Sequence, residues 1–148
     1  MFQWCPWADV LYAMDRVWWD RYLAEVEKKF SGRKISPIYI NPSVQYIRFW
    51  HGCNSGQGAI HLAALWGAKK VILLGYDAQH TGGQAHCHGD HPKGLLNAGA
   101  VSDWPDQFQY TANAHPGLEI INCTRQTALT CFERRELDDE IKVAGRSK

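Results

Sequence analysis

The sequence predicts an α/β fold, a three-layer sandwich around a mainly parallel sheet. Three observations carry this. Segments of strand character alternate with segments of helical periodicity along most of the chain. The run Val71-Ile72-Leu73-Leu74 is apolar without a break, as expected of a central parallel strand covered on both faces. The helix before it, centred on Ala59, Ile60, Leu62, Ala63, Ala64 and Leu65, is apolar on most sides and joins that run through Gly67. Helix, glycine turn and buried strand form an α/β unit whose crossover should be right-handed.

Taken in order, residues 8–13 (ADVLYA) read as a short buried strand. Residues 15–30 read as a helix with an apolar stripe of Val17, Trp18, Tyr22, Val26 and Phe30, opened by Asp15 and stopped at Ser31-Gly32. Residues 36–40 and 44–50 are rich in β-formers and are split by Asn41-Pro42. Asn54 and Ser55 are capping types at the head of the alanine-rich helix, which runs to about residue 66. A further helix falls within 98–113, entered through Asp103-Trp104-Pro105-Asp106 with the proline near the first turn. Residues 118–124 (LEIINCT) read as a last strand. The expected organisation is one α/β domain over 1–135, in a Rossmann-like arrangement, and a charged tail over 136–148 that adds a short helix before its end frays.

At 148 residues the chain suits one core. Its net charge of +1 and the lack of a basic run give no sign of nucleic-acid binding. No apolar run approaches the roughly 18 residues of a membrane span, and the N-terminus has no signal-peptide pattern. Five cysteines without a paired C-x-x-C spacing favour reduced thiols and a cytoplasmic setting.

Ligands of open parallel sheets bind beyond the carboxyl ends of the strands. Three loops are therefore expected to converge: one holding Asp15, one running from His51 to Gly56, and one beginning at Asp77. The turn Gly52-Cys53-Asn54-Ser55-Gly56 opens a helix, where backbone N–H groups and the positive end of the dipole suit a phosphate or carboxylate. The same residues also suit a plain N-cap. Asp15 and Asp77 can each hydrogen-bond a ribose or sugar hydroxyl, or serve as cap or turn formers.

The stretch His86-Cys87-His88-Gly89-Asp90-His91 has three readings. Its H-x-H-x-D-H spacing matches the metal signature of metallo-β-lactamase-like hydrolases, with His86, His88, Asp90 and His91 as ligands of a divalent metal. One histidine can instead be a general base within a loop shaped by the others. The third reading is a solvated polar loop.

The segments PWADVLYAMDRVWWDRY, GCNSGQGAIHLAALWGAKKVILLGYD, HGDHP and INCTRQTALTCF together resemble a group of phage and prophage proteins. These look like the superfamily of 6-hydroxymethylpterin diphosphokinase-like domains and bacterial family-42 sialyltransferases. In that superfamily a serine-glycine loop opens a buried helix, as Ser55-Gly56 does here, and a strand ending in Gly-x-Asp follows, as at Gly75-Tyr76-Asp77. The resemblance implies a nucleotide-dependent transferase-like domain in a bacterial host. Its donor is a nucleotide or nucleotide-sugar held by Asn54, Ser55 and Gly56 with help from Asp15 and Asp77. His88 or His91 would deprotonate an acceptor hydroxyl, with Asp90 orienting the imidazole. Trp18, Trp19 and Trp50 are candidates for stacking on a base or sugar. The superfamily also begins with a strand and a G-x-G-P-S-L phosphate loop that this chain lacks. That departure favours the alternative of a non-enzymatic phage binding protein, and it leaves a sheet edge for a partner or second copy to cover.

Overall fold

The computed structural model describes residues 2–80 and 101–145. Among these the chain is mixed α/β, with two three-stranded sheets and four α-helices. The strands are β1 (Val10–Tyr12), β2 (Arg33–Ser36), β3 (Gln45–Tyr46), β4 (Lys70–Leu73), β5 (Glu119–Asn122) and β6 (Glu133–Arg134). The helices are α1 (Arg16–Lys29), α2 (Ser55–Leu65), α3 (Trp104–Ala114) and α4 (Leu137–Gly145). Every strand pairing is parallel, in the orders β1-β2-β3 and β4-β5-β6. The chain forms two compact units, and the boundary between Ala59 and Ile60 falls inside α2.

In the first unit β1 runs beside β2 with Val10 opposite Arg33 and Tyr12 opposite Ile35. The core gathers Phe2, Leu11, Ala13, Trp19, Val26, Phe30 and Val44. The buried face of α1 differs from the expected stripe. Val17 is 55% exposed, whereas Trp19 is fully buried among core side chains and so is not available for ligand stacking. Its indole can be buried because Nε1–H donates to the Ala13 carbonyl at 3.0 Å. Trp18 packs half-buried against the same core, and Trp50 is exposed. Asp15 occupies the N-cap of α1, but its side chain makes no cap hydrogen bond. β2 ends earlier than the 36–40 segment suggests because Pro37, which has no N–H for the ladder, follows Ser36. The turn before β3 is an Asx-turn in which Ser43 N–H donates to Asn41 Oδ1 at 2.9 Å.

In the second unit β5 is the central strand, with Ile120, Ile121 and Asn122 buried. Among the described strands its partner β4 pairs with β5 alone; Leu73 is buried, while Ile72 and the following Leu74 are 37% and 51% exposed. Ile60, Leu73, Ala78, Phe108, Ile120, Leu129 and Phe132 form the core. Pro105 sits in the first turn of α3, as its position in the sequence implies. An ionic network ties the sheet to α4. Glu140, buried on α4, pairs with Lys70 of β4 and, at 2.9 Å, with Arg135, which also reaches Glu119 at 3.1 Å. The attraction of Lys70 and then Arg135 holds the Glu140 carboxyl below the usual glutamate range. His61 of α2 is buried and its Nδ1 lies 2.6 Å from Nε2 of His115, the residue that closes α3. One ring must donate and the other accept. The far nitrogen of His61 faces the buried hydroxyl of Thr111 at 3.5 Å.

Candidate functional site

The first candidate region is the turn before α2, in the first unit. Gly52 adopts φ +74°, a conformation that favours glycine, and a Cβ there would meet Gln57 Cβ at 2.8 Å. The turn closes on itself through a variant of the capping box. Asn54 Oδ1 accepts from Gln57 N–H at 2.9 Å, and Gln57 Oε1 accepts from Cys53 N–H at 2.9 Å and from Asn54 Nδ2 at 3.3 Å. Gln57 is buried. Ser55 Oγ accepts from Met14 N–H at 3.4 Å, which ties the end of β1 to the head of α2. Two of the three expected loops therefore meet: Asp15 adjoins the residue bonded to Ser55, and Asn54 and Gly56 flank it. The side chains of Asn54 and Ser55 are engaged in holding this junction.

Beside it, Tyr12 packs on Phe49 with ring centroids 6.0 Å apart and lies over Gly58. Its hydroxyl is buried and has no hydrogen-bond partner among the described residues. Burial, and then the nearby Asp15 carboxylate, raise this phenol above the ordinary tyrosine range.

The second region is a cleft in the second unit, beyond the carboxyl ends of β4 and β5. Its volume is about 710 Å³, within the roughly 300–1,000 Å³ of small-molecule sites. Asp77, Arg125, Gln126, Glu136 and Asp138 supply its charged and polar lining, while Leu74 and Leu137 supply apolar wall. Parallel strands aim their loops to this side of a sheet, which is why Asp77 after β4 and Thr124 and Arg125 after β5 share one cleft.

The Asp77 turn is over-determined. Gly75 has φ +73° and Ala78 has φ +48°, so both flanks of Tyr76-Asp77 are left-handed. For alanine this conformation costs roughly 1–2 kcal/mol, and it persists because the surroundings enforce it. Ala78 is buried in the core of the unit. Tyr76 N–H donates to Thr124 Oγ1 at 2.9 Å, and Thr127 Oγ1–H donates to the Tyr76 carbonyl at 2.6 Å. Ala128 N–H donates to the Asp77 carbonyl at 2.8 Å. Thr127 is itself held by Asn122 Nδ2 at 3.3 Å, and Asn122 Oδ1 accepts from Thr124 N–H at 3.0 Å. The backbone that presents Asp77 is thus bonded to the loop after β5 at three points.

Burial, then the carboxylates of Glu140 and Glu136, push the Cys123 thiol up, so this cleft residue stays protonated at neutral pH and is a poor nucleophile. Burial likewise pushes the Tyr76 phenol up to about 12. The groups of the cleft suited to a ligand are thus its carboxylates, Arg125 and its amide and hydroxyl side chains.

Of the residues singled out in the sequence, Asp15, Asn54, Ser55 and Gly56 belong to the first unit and Asp77 to the second. His86, Cys87, His88, Asp90 and His91 lie outside the described residues. Among the described residues no group of three histidine, cysteine or acidic side chains is placed to hold a metal ion. No helix among them is long and apolar enough to cross a membrane. Cys5, Cys53, Cys123 and Cys131 are free thiols. Sequence reasoning missed Thr124, Arg125 and Gln126 as cleft residues, although their place after a buried strand was the available signal. No family model, curated protein or solved structure matches the chain.

Proposed function

We infer that the chain is a nucleotide-dependent transferase-like domain of Rossmann-like, three-layer construction, and that its ligand occupies the cleft beyond β4 and β5. The observation that carries this reading is the Asp77 turn. A carboxylate is presented at the end of a parallel strand, on a strained backbone braced by the neighbouring loop, at the edge of a cleft of ligand size. A carboxylate in that position suits the hydroxyls of a ribose or sugar. The sequential order of the strands within each three-stranded sheet, β1-β2-β3 and β4-β5-β6, also agrees with the halves of a doubly wound fold.

Asn54, Ser55 and Gly56 keep a part in this reading through the turn they build at the head of α2, with Asp15 next to it. The general base is His88 or His91, oriented by Asp90. The test is a thermal-shift screen with CMP, UDP, ATP and CMP- and UDP-sugars. A true ligand at a hundred times its Kd stabilises the folded chain by about 2.7 kcal/mol, and Asp77→Asn should abolish the shift. If none of these ligands stabilises the protein, the transferase reading falls and a non-enzymatic binding role takes its place.

A further inference from the structure

One wall of the cleft beyond β4 and β5 does not come from the sheet or its loops. Leu74, Gly75 and Asp77 follow β4, and Cys123 to Gln126 follow β5, whereas Glu136, Leu137 and Asp138 form the entry to α4. Among the described side chains of α4, Glu140 is buried and Leu137 is half-buried, while Asp138, Asp139, Ile141 and Lys142 are exposed. A surface helix usually docks through an apolar stripe. Here the buried contact of the described side chains is a carboxylate.

Glu140 sets Oε2 against Lys70 Nζ and Oε1 2.9 Å from Arg135 Nη1. Both cations also have partners that are not on α4. Lys70 lies 3.6 Å from Glu119 Oε1. Arg135 lies 3.1 Å from the same Glu119 oxygen and 2.7 Å from Glu133 Oε1. The Lys70 and Arg135 side chains are 31% and 35% exposed, so water reaches them as well. Lifting α4 would therefore leave neither cation alone and would return Glu140 to water. Burying a carboxylate is costly, and its ion pairs offset that cost with little to spare. Between a docked and a lifted α4 the described residues exchange ionic partners and give up little apolar burial.

We propose that α4 is a releasable strap: Glu140, paired with Lys70 and Arg135, holds it down as one wall of the cleft, and its release about Glu136 opens the cleft. The sheet and the loops after β4 and β5 stay in place during that motion. Such an opening is independent of the ligand's identity, so a failed nucleotide screen leaves it standing.

Hydrogen–deuterium exchange of the full chain at pH 7 follows α4 and β5 together. Alkylation of Cys123 by iodoacetamide, read by peptide mapping, follows the cleft. Corrected for intrinsic rates, α4 amides are expected to exchange at least about tenfold faster than β5 amides, through an opening that leaves the sheet intact. Lys70→Met should speed α4 exchange by about a further tenfold or more, with β5 changed less than about threefold. The thiol supplies a contrary sign. Lys70 favours the Cys123 thiolate, so with α4 held down its loss slows alkylation, whereas a lifted α4 raises the rate about threefold or more. Exchange of α4 in step with β5, in the parent or the variant, would overturn the strap. Faster α4 exchange with Cys123 alkylation slowed or unchanged would overturn it too, as fraying that uncovers no cleft. If Lys70→Met does not fold, the same exchange comparison in Glu140→Gln decides, because that variant leaves Lys70 and Arg135 paired with Glu119 and Glu133.

Discussion

Replacing Tyr12 with phenylalanine should make the protein more stable. The phenol oxygen is buried and has no hydrogen-bond partner among the described residues, while the ring is fitted between Phe49 and Gly58. Phenylalanine keeps the ring and removes only the hydroxyl. The unfolded chain hydrates that hydroxyl, so folding now loses a water hydrogen bond without replacing it, at a cost of about 1–3 kcal/mol. Tyr12→Phe removes that cost. With a urea m-value of about 2 kcal/mol/M, the midpoint should rise by roughly 0.5–1.5 M. Tryptophan fluorescence follows the transition, and an unchanged m-value would show that the denatured state is unaltered. Because the phenol lies above the ordinary tyrosine range, it is neutral from about pH 5 to 9, and the gain should be constant across that interval. A loss of 1 kcal/mol or more in Tyr12→Phe would refute the reasoning, since it would mean that the folded chain bonds the hydroxyl.

Gly58→Ala sets two effects against each other. Helix propensity favours alanine by about 1 kcal/mol, but its methyl would lie 2.7 Å from Cε1 and Cζ of Tyr12, and overpacking of that kind costs about 1–3 kcal/mol. Net destabilisation in urea melts is expected, and the sign should reverse in a Tyr12→Ala background. His115→Ala removes the partner of the buried His61 Nδ1 and should cost about 1–3 kcal/mol, with part of the loss recovered when His61 is also made leucine. Glu140 has a lowered pKa in the folded chain, so its contribution is present above the unfolded value near 4.3 and is lost as pH falls through the folded value. Glu140→Gln should therefore flatten the acid limb of the stability profile below about pH 4.5. Lys70 is shifted upward by the same pairing, so its contribution is full below the unfolded value near 10.4 and fades as pH rises through the folded one. Lys70→Met should flatten the alkaline limb. On the proposed transferase reading, alanine variants of His88 and His91 should lower transfer activity about 10²–10⁴-fold with nucleotide affinity unchanged. Near-stoichiometric zinc in the purified protein would instead point to metal binding by the 86–91 segment.

The elements most legible in the sequence were those with strong periodicity or clear punctuation. The alanine-rich helix with its Asn54 cap and the Pro105 entry to α3 appear where residue chemistry puts them. Misreadings arose where tertiary context decides. Val17 fits a helical stripe as well as Trp19 does, and only the Ala13 carbonyl explains why the tryptophan is the buried one. β6 is a two-residue Glu133–Arg134 pairing without alternation or β-forming side chains, so nothing local announces it. At the cleft, Asp77 was legible because it ends a strand. The left-handed Ala78 was not, since alanine seldom adopts that conformation and the bonds that impose it come from residues some fifty positions away. The His61–His115 pair is hidden in the same way.

The division between Ala59 and Ile60 matters to anyone dissecting the chain. A fragment begun at Ile60 would start partway along a helix and would leave Asn54 and Gln57 behind. Loss of an N-cap alone typically costs about 0.5–2 kcal/mol. A cut placed ahead of Gly52 would keep the whole helix and its self-bonded lead-in with the later half, at the expense of the Met14 tether. The seam between the halves is therefore a poor place for scissors.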